Sequence, residues 1–242
     1  MFSLMDCFLN CGWGKQNISN NKLTDMSTLT ALPPEIIQDS NLQTGSLHWF
    51  PHTDLHSLKK RVNQYKSEGL ESLRIGINCA DLQDESIDLE YDQLFRVLGD
   101  NFLLQPCYVN SFSLKPSGKS LAEIVEHHIH SFGDSFGWVE LWRSSQDRQG
   151  ITTDKDNIFS DRIVFTATLS KYFGKQVSLG GVQPGDFEWI TNLICNHAHR
   201  SIRAIGIQNS ASQEDANPLF LVNNLKSMIK AKQLDLEVWV SA

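Results

Sequence analysis

The stretch Phe136 to Gln146, Phe-Gly-Trp-Val-Glu-Leu-Trp-Arg-Ser-Ser-Gln, gathers a carboxylate, a guanidinium, hydroxyls and two indoles within eleven residues. Trp138 to Trp142 reads as a buried strand, and Arg143, Ser144 and Ser145 form its polar end. A strand that delivers its last residues to a shared mouth is where a parallel barrel places its chemistry. Other polar and aromatic residues fall near strand ends in the same way: His48, Trp49, Arg74, Asn78, Tyr108, Gln208 and Trp239. Aromatic rings suit the C–H faces of a sugar, and amides and guanidinium groups suit its hydroxyls. With Glu140, Trp142 and Arg143, these residues would line a saccharide pocket, although the commoner fate of a Trp in a strand is ordinary core.

Glu140 shares the parity of Trp142 and Ser144, so it points to the same side of its strand. It lies about 13 Å below Ser144 along the strand, and the expectation is a buried glutamate paired with a cation such as Arg74. Glu237 has the opposite parity to Ala242 and is expected to face the outer helices. Asp147, Asp186 and Glu188 follow strands four and five in loops, where a displaced carboxylate could serve hydrolysis.

The elements that must position these groups follow from hydrophobic spacing. From Leu47 onward, strands are expected at 47–50, 72–77, 102–108, 138–142, 177–181, 204–207 and 236–240. Helices are expected at 55–68, 91–98, 121–132, 158–173, 187–197 and 218–230. Seven steps of about 28 to 30 residues match the spacing of a (β/α)₈ barrel. An open doubly wound sheet alternates in the same way, but no Gly-x-Gly-x-x-Gly follows the first strand. The expected fold is therefore α/β, an incomplete (β/α)₈ TIM-type barrel over 47–242 behind a flexible N-terminal arm over 1–46. No eighth strand follows before Ala242, so the expectation is either open edges covered by the arm or by a partner, or a fragment of a longer barrel.

The strand-four text Val139-Glu140-Leu141-Trp142-Arg143-Ser144-Ser145 resembles the Glu-x-Trp-Asn-Glu-Pro strand end of the clan of barrel glycoside hydrolases with catalytic glutamates on strands four and seven. Leu73-Arg74-Ile75-Gly76-Ile77-Asn78 is similar to that clan's strand-two arginine segment, and Leu236 to Ala242 resembles its strand-seven Trp-Ile-Thr-Glu. The nearest likeness is to bacterial β-xylosidase-like modules, over roughly residues 44–242. The resemblance implies hydrolysis of O-glycosyl bonds by two glutamates. Here Ser144 stands at the acid/base position and Ala242 at the nucleophile position. Retaining cleavage needs two carboxyl groups about 5–5.5 Å apart; neither serine nor alanine supplies one, so a catalytically silent or truncated copy is expected. A saccharide-binding pseudoenzyme is the alternative, as is a hydrolase using a displaced loop acid.

Composition limits the other classes. A net charge of −7 and a pI near 5.6 leave no basic face for nucleic acid. No run of about 18 apolar residues suggests a membrane span, and the N-terminus lacks the basic region of a signal peptide. Five scattered cysteines read as free thiols in a reducing compartment, so a cytoplasmic location is expected. Glu126-His127-His128-Ile129-His130 would allow a surface metal through His127, His130 and Glu123, but a helix outside a barrel is remote from its mouth. A solvated polar face is the expectation there, and no metal or cofactor is assigned. Gly180 to Gly185 lacks the lysine of a phosphate loop.

Overall fold

The computed structural model describes residues 47–50, 53–110, 118–143, 153–195, 198–208 and 218–241. Strands β1 (Leu47–His48), β2 (Ser72–Asn78), β3 (Leu103–Asn110), β4 (Trp138–Arg143), β5 (Gln176–Val182), β6 (Ala204–Gln208) and β7 (Glu237–Ser241) alternate with helices. These are α1 (Leu55–Ser67), α2 (Glu85–Gly99), α3 (Leu121–Phe132), α4 (Thr153–Tyr172), α5 (Phe187–Cys195) and α6 (Pro218–Ala231).

Local chemistry explains most of the boundaries. Asp54 accepts the Ser57 amide and starts α1, and Gly69, in the left-handed region at φ 77°, lets the chain leave it. Ser120 and Glu123 form a reciprocal capping box at the start of α3. Helix α2 begins at Glu85, six residues before the position expected from its apolar spacing. Its first turn is acidic and Asp84 caps it through the Ser86 amide, so polarity hid a real helix start. Helix α4 likewise begins at Thr153, earlier than expected, and β1 shortens to two residues.

All neighbouring strands pair in parallel and in chain order, from β1 through β7. A doubly wound sheet would reverse its strand order at a switch point. Unbroken order with crossovers of one hand instead puts every helix on one face, and the sheet curls with that face outward. The curl is visible in cross-sheet contacts. Trp138 on β4 and Trp239 on β7 bring their ring centroids to 4.7 Å, whereas three steps of a flat sheet would separate those strands by about 14 Å. Among the described residues β1 and β7 do not pair with each other, so the architecture is a curled half-barrel, an incomplete TIM-type α/β barrel.

The main core lies on the convex side. Ile75, Ile77, Leu104, Val139, Leu141, Val177, Leu179, Ile205 and Ile207 pack under Leu94, Phe95, Leu98, Ile124, Val125, Ile163, Ile190 and Leu225 of the helices, all buried. The central strands alternate, with apolar residues toward the helices and Arg74, Gln105, Glu140 and Ser178 at the positions between them. No helix among the described residues is long and apolar enough to cross a membrane.

Candidate functional site

Register fixes which side chains share the concave face. Arg74 aligns with Gln105 and Gly76 with Cys107; Cys107 aligns with Glu140, Glu140 with Ser178, Ser178 with Ala204 and Ala204 with Glu237. Side chains alternate along a strand, so Arg74, Gln105, Glu140, Trp142, Ser178 and the glycines at 76, 180 and 206 all face inward.

Glu140 is the centre of this face and is 2% exposed. Arg74 donates Nε to Oε2 at 2.6 Å and Nη2 to Oε1 at 2.5 Å. Trp142 donates Nε1 to Oε1 at 2.6 Å, and Gln105 donates Nε2 to Oε2 at 3.3 Å. A carboxylate offers about four lone-pair directions, and these donors take them all. The Arg74 guanidinium also lies over the Trp142 ring, 5.3 Å from its centroid. Burial alone would lower the Arg74 pKa, but Glu140 outweighs it and holds the group above its ordinary value. The expected pairing of Glu140 with Arg74 is thus present, tightened by Gln105, whose part sequence reasoning missed. No signal within the sequence points to Gln105, because its place beside Arg74 is set by the register of β3 on β2.

Glycines make the room. A Cβ on Gly180 would fall 1.7 Å from Trp142 Nε1 and 1.9 Å from Glu140 Oε1, and one on Gly76 would fall 2.6 Å from the Trp49 ring. Trp142 therefore lies on Gly180 and Gly181, where the ladder to β6 shifts register and Gly181 adopts φ 66°. Trp49 lies on Gly76 and keeps 41% of its surface exposed.

Other expected pocket residues are placed differently. His48 turns toward the helices, with Nδ1 3.1 Å from the Tyr65 hydroxyl of α1, because it has the opposite parity to Trp49. Burial, and then the Arg61 charge, lower its pKa. Tyr108 belongs to the convex core, fully buried, with its hydroxyl 3.0 Å from His128 Nδ1; burial raises its pKa. Asn78 stands at the end of β2, where its side chain closes the following turn by donating to Asp81 and accepting the Ala80 amide.

Trp239 packs against Trp138 deep on the concave face, 8% exposed. Its Nε1 donates to Glu237 Oε2 at 3.1 Å, so Glu237 faces inward with it. The expectation that Glu237 faces the helices is corrected: Val238 and Val240 pack on the convex core instead. Gln208 is half-buried at the end of β6, aligned with Ser241. Asp186 is buried and accepts the Gln183 amide, capping the turn after β5. Arg143 ends β4, while Ser144, Asp147 and Ala242 lie outside the described residues.

No family model matches the sequence, and no curated protein matches it. Several solved structures are similar in shape, two of them as follows. One is a proposed deoxyribose-phosphate aldolase from Coccidioides immitis, with a TM-score of 0.48, 8% identity, and coverage of 82% of this chain and 79% of that one. The other is a β-glycosidase, with a TM-score of 0.43, 10% identity, and coverage of 77% and 75%. Likeness of this degree carries no argument about activity. Strand order and register identify the molecule as an incomplete TIM-type α/β barrel with a sealed ionic cluster on its concave face.

Proposed function

We propose that the concave face binds saccharide without cleaving it. The observation that carries this reading is the exposed indole of Trp49, held flat against the Gly76 backbone with its other surface open at 41% exposure. A rigid ring with one free face is the usual platform for the C–H face of a pyranose, and a ring fixed in advance loses little entropy on binding.

Silence toward hydrolysis is supported separately. Glu140 already spends both oxygens on Arg74, Trp142 and Gln105, which leaves no lone pair for an anomeric carbon. The resemblance to the glycosidase clan puts Ser144 and Ala242 where that clan has its glutamates, and it supplies the ligand class.

The test is calorimetric titration of the full chain with xylo- and cello-oligosaccharides, beside assays on aryl-xyloside and aryl-glucoside. Millimolar or tighter binding that weakens about tenfold or more in Trp49→Ala, with no turnover, is expected. Absence of heat at millimolar ligand sinks the binding reading. Turnover that survives purification and disappears when Glu188 or Asp147 is neutralised sinks the non-hydrolytic one.

A further inference from the structure

We propose that Asp92 of α2 and the adjacent His127 and His128 of α3 bind a divalent transition-metal ion, zinc by ligand type, on the helical side of the barrel. One ligand atom from each residue falls within 4.8 Å of the others. Asp92 Oδ1 and His127 Nε2 are already 3.0 Å apart, close to the roughly 3.3 Å edge of a tetrahedral ion with bonds of about 2.0–2.1 Å.

The independent observation is His128. It is wholly buried, its Nδ1 is 3.0 Å from the Tyr108 hydroxyl, and its Nε2 is buried with no hydrogen-bond partner. Its surroundings are aromatic, with the Phe95 ring centroid at 4.5 Å and that of Phe132 at 6.2 Å. Buried polar atoms nearly always have a partner, and neither a Phe95 nor a Phe132 ring supplies one. In the tautomer whose Nδ1 donates to the Tyr108 hydroxyl, the lone pair resides on Nε2, and an outer partner that fixes the tautomer of a metal-binding histidine is the usual arrangement. An ion pair between Asp92 and His127 accounts for two of the three groups and leaves this nitrogen unexplained.

Access and adjustment come from the other two ligands. The His127 and Asp92 side chains are 43% and 20% exposed, so they can rotate about a fixed His128 to close on one ion. Two imidazoles and a carboxylate suit zinc, with a fourth position left for water. The site is separate from the concave face, because His128 reaches the sheet through Tyr108 on its convex side.

The test uses the full chain stripped with chelator and titrated with Zn²⁺, with Co²⁺ as the spectroscopic probe. Expected are a one-to-one isotherm, a rise in melting temperature with zinc, and visible Co²⁺ absorption of a low-coordinate site. All three should weaken about tenfold or more in Asp92→Asn/His127→Gln. Replacing buried His128 also alters core packing and removes its Tyr108 hydrogen bond, so the deciding variant changes the two accessible ligands instead. Glu126→Gln/His130→Gln, which removes the neighbouring helical pair, should leave binding unchanged. No saturable zinc binding, binding indifferent to the Asp92/His127 change, or binding lost in the Glu126/His130 variant overturns the proposal.

Discussion

Arg74 and Glu140 stand on strands that do not touch, β2 and β4, and join over the intervening β3 through two hydrogen bonds of 2.6 and 2.5 Å. Their side chains are 9% and 3% exposed, so each shields the other from the cost of a lone charge in a low-dielectric interior. Removing one partner is far worse than removing both. Glu140→Ala is expected to cost about 3–5 kcal/mol, because it strands the guanidinium and leaves Trp142 Nε1 and Gln105 Nε2 without their acceptor. Arg74→Met combined with Glu140→Leu should recover a large part of that loss. Urea denaturation of the wild-type, Arg74→Met, Glu140→Leu and doubly substituted chains checks it, and additive losses would count against a sealed cluster.

Gly180 and Gly206 both face the cluster but tolerate a methyl group unequally. A Cβ on Gly180 meets Trp142 and Glu140 at under 2 Å, while one on Gly206 has its nearest neighbours at 3.6 Å. Gly180→Ala should displace the Trp142 indole and destabilise by about 1–3 kcal/mol or more, with a shift in tryptophan fluorescence. Gly206→Ala should be close to neutral. Equal behaviour of the two variants would contradict this packing.

The start of α3 rests on Ser120 and Glu123, which satisfy each other's backbone amides at 3.3 and 2.7 Å. Ser120→Ala is expected to cost about 1 kcal/mol. Glu123 titrates below its ordinary value because of the Ser120 backbone amide and hydroxyl, so its share of the cap is present at neutral pH and fades in acid. Thermal melts of both single variants measure the two halves separately.

His128 gives the fold a dependence on mild acid. Burial, then the neighbouring His127 and Lys119 charges, lower its pKa from 6.5 to about 3. The unfolded chain therefore takes up a proton in this window that the native state refuses. Stability from this group is complete above pH ~6.5 and falls as pH drops toward ~3. Chelator-treated chain should lose melting temperature across that range, and His128→Leu should flatten the slope. An unchanged slope would assign the acid sensitivity elsewhere.

The sequence revealed the alternation of strands and helices because a parallel barrel repeats one unit, and each unit carries its own caps and apolar stripe. It revealed Glu140 as an inward, buried partner of Arg74 because parity on a strand is exact. Parity decides His48 and Tyr108 as well, but a parity count needs one residue on the strand whose face is already known. His48 and Tyr108 look like rim residues at their strand ends, yet each answers to a helix, Tyr65 in one case and His128 in the other. Glu237 was assigned from a parity count that started at Ala242, whereas its indole partner Trp239 shows which face it takes. Gln105 and Gly180 matter through register between strands, and a single sequence contains no register.

The chain-order sheet has a consequence for how the molecule opens. Among the described residues each internal strand shares its backbone ladder with its sequence neighbours alone, and β1 holds on to β2 by two residues. A ring would have to break everywhere at once, while a ribbon can peel. Amide protons should therefore exchange with deuterium in a graded order, fastest on β1 and slowest on β3 to β5, with the Arg74–Glu140 clasp marking where peeling stalls.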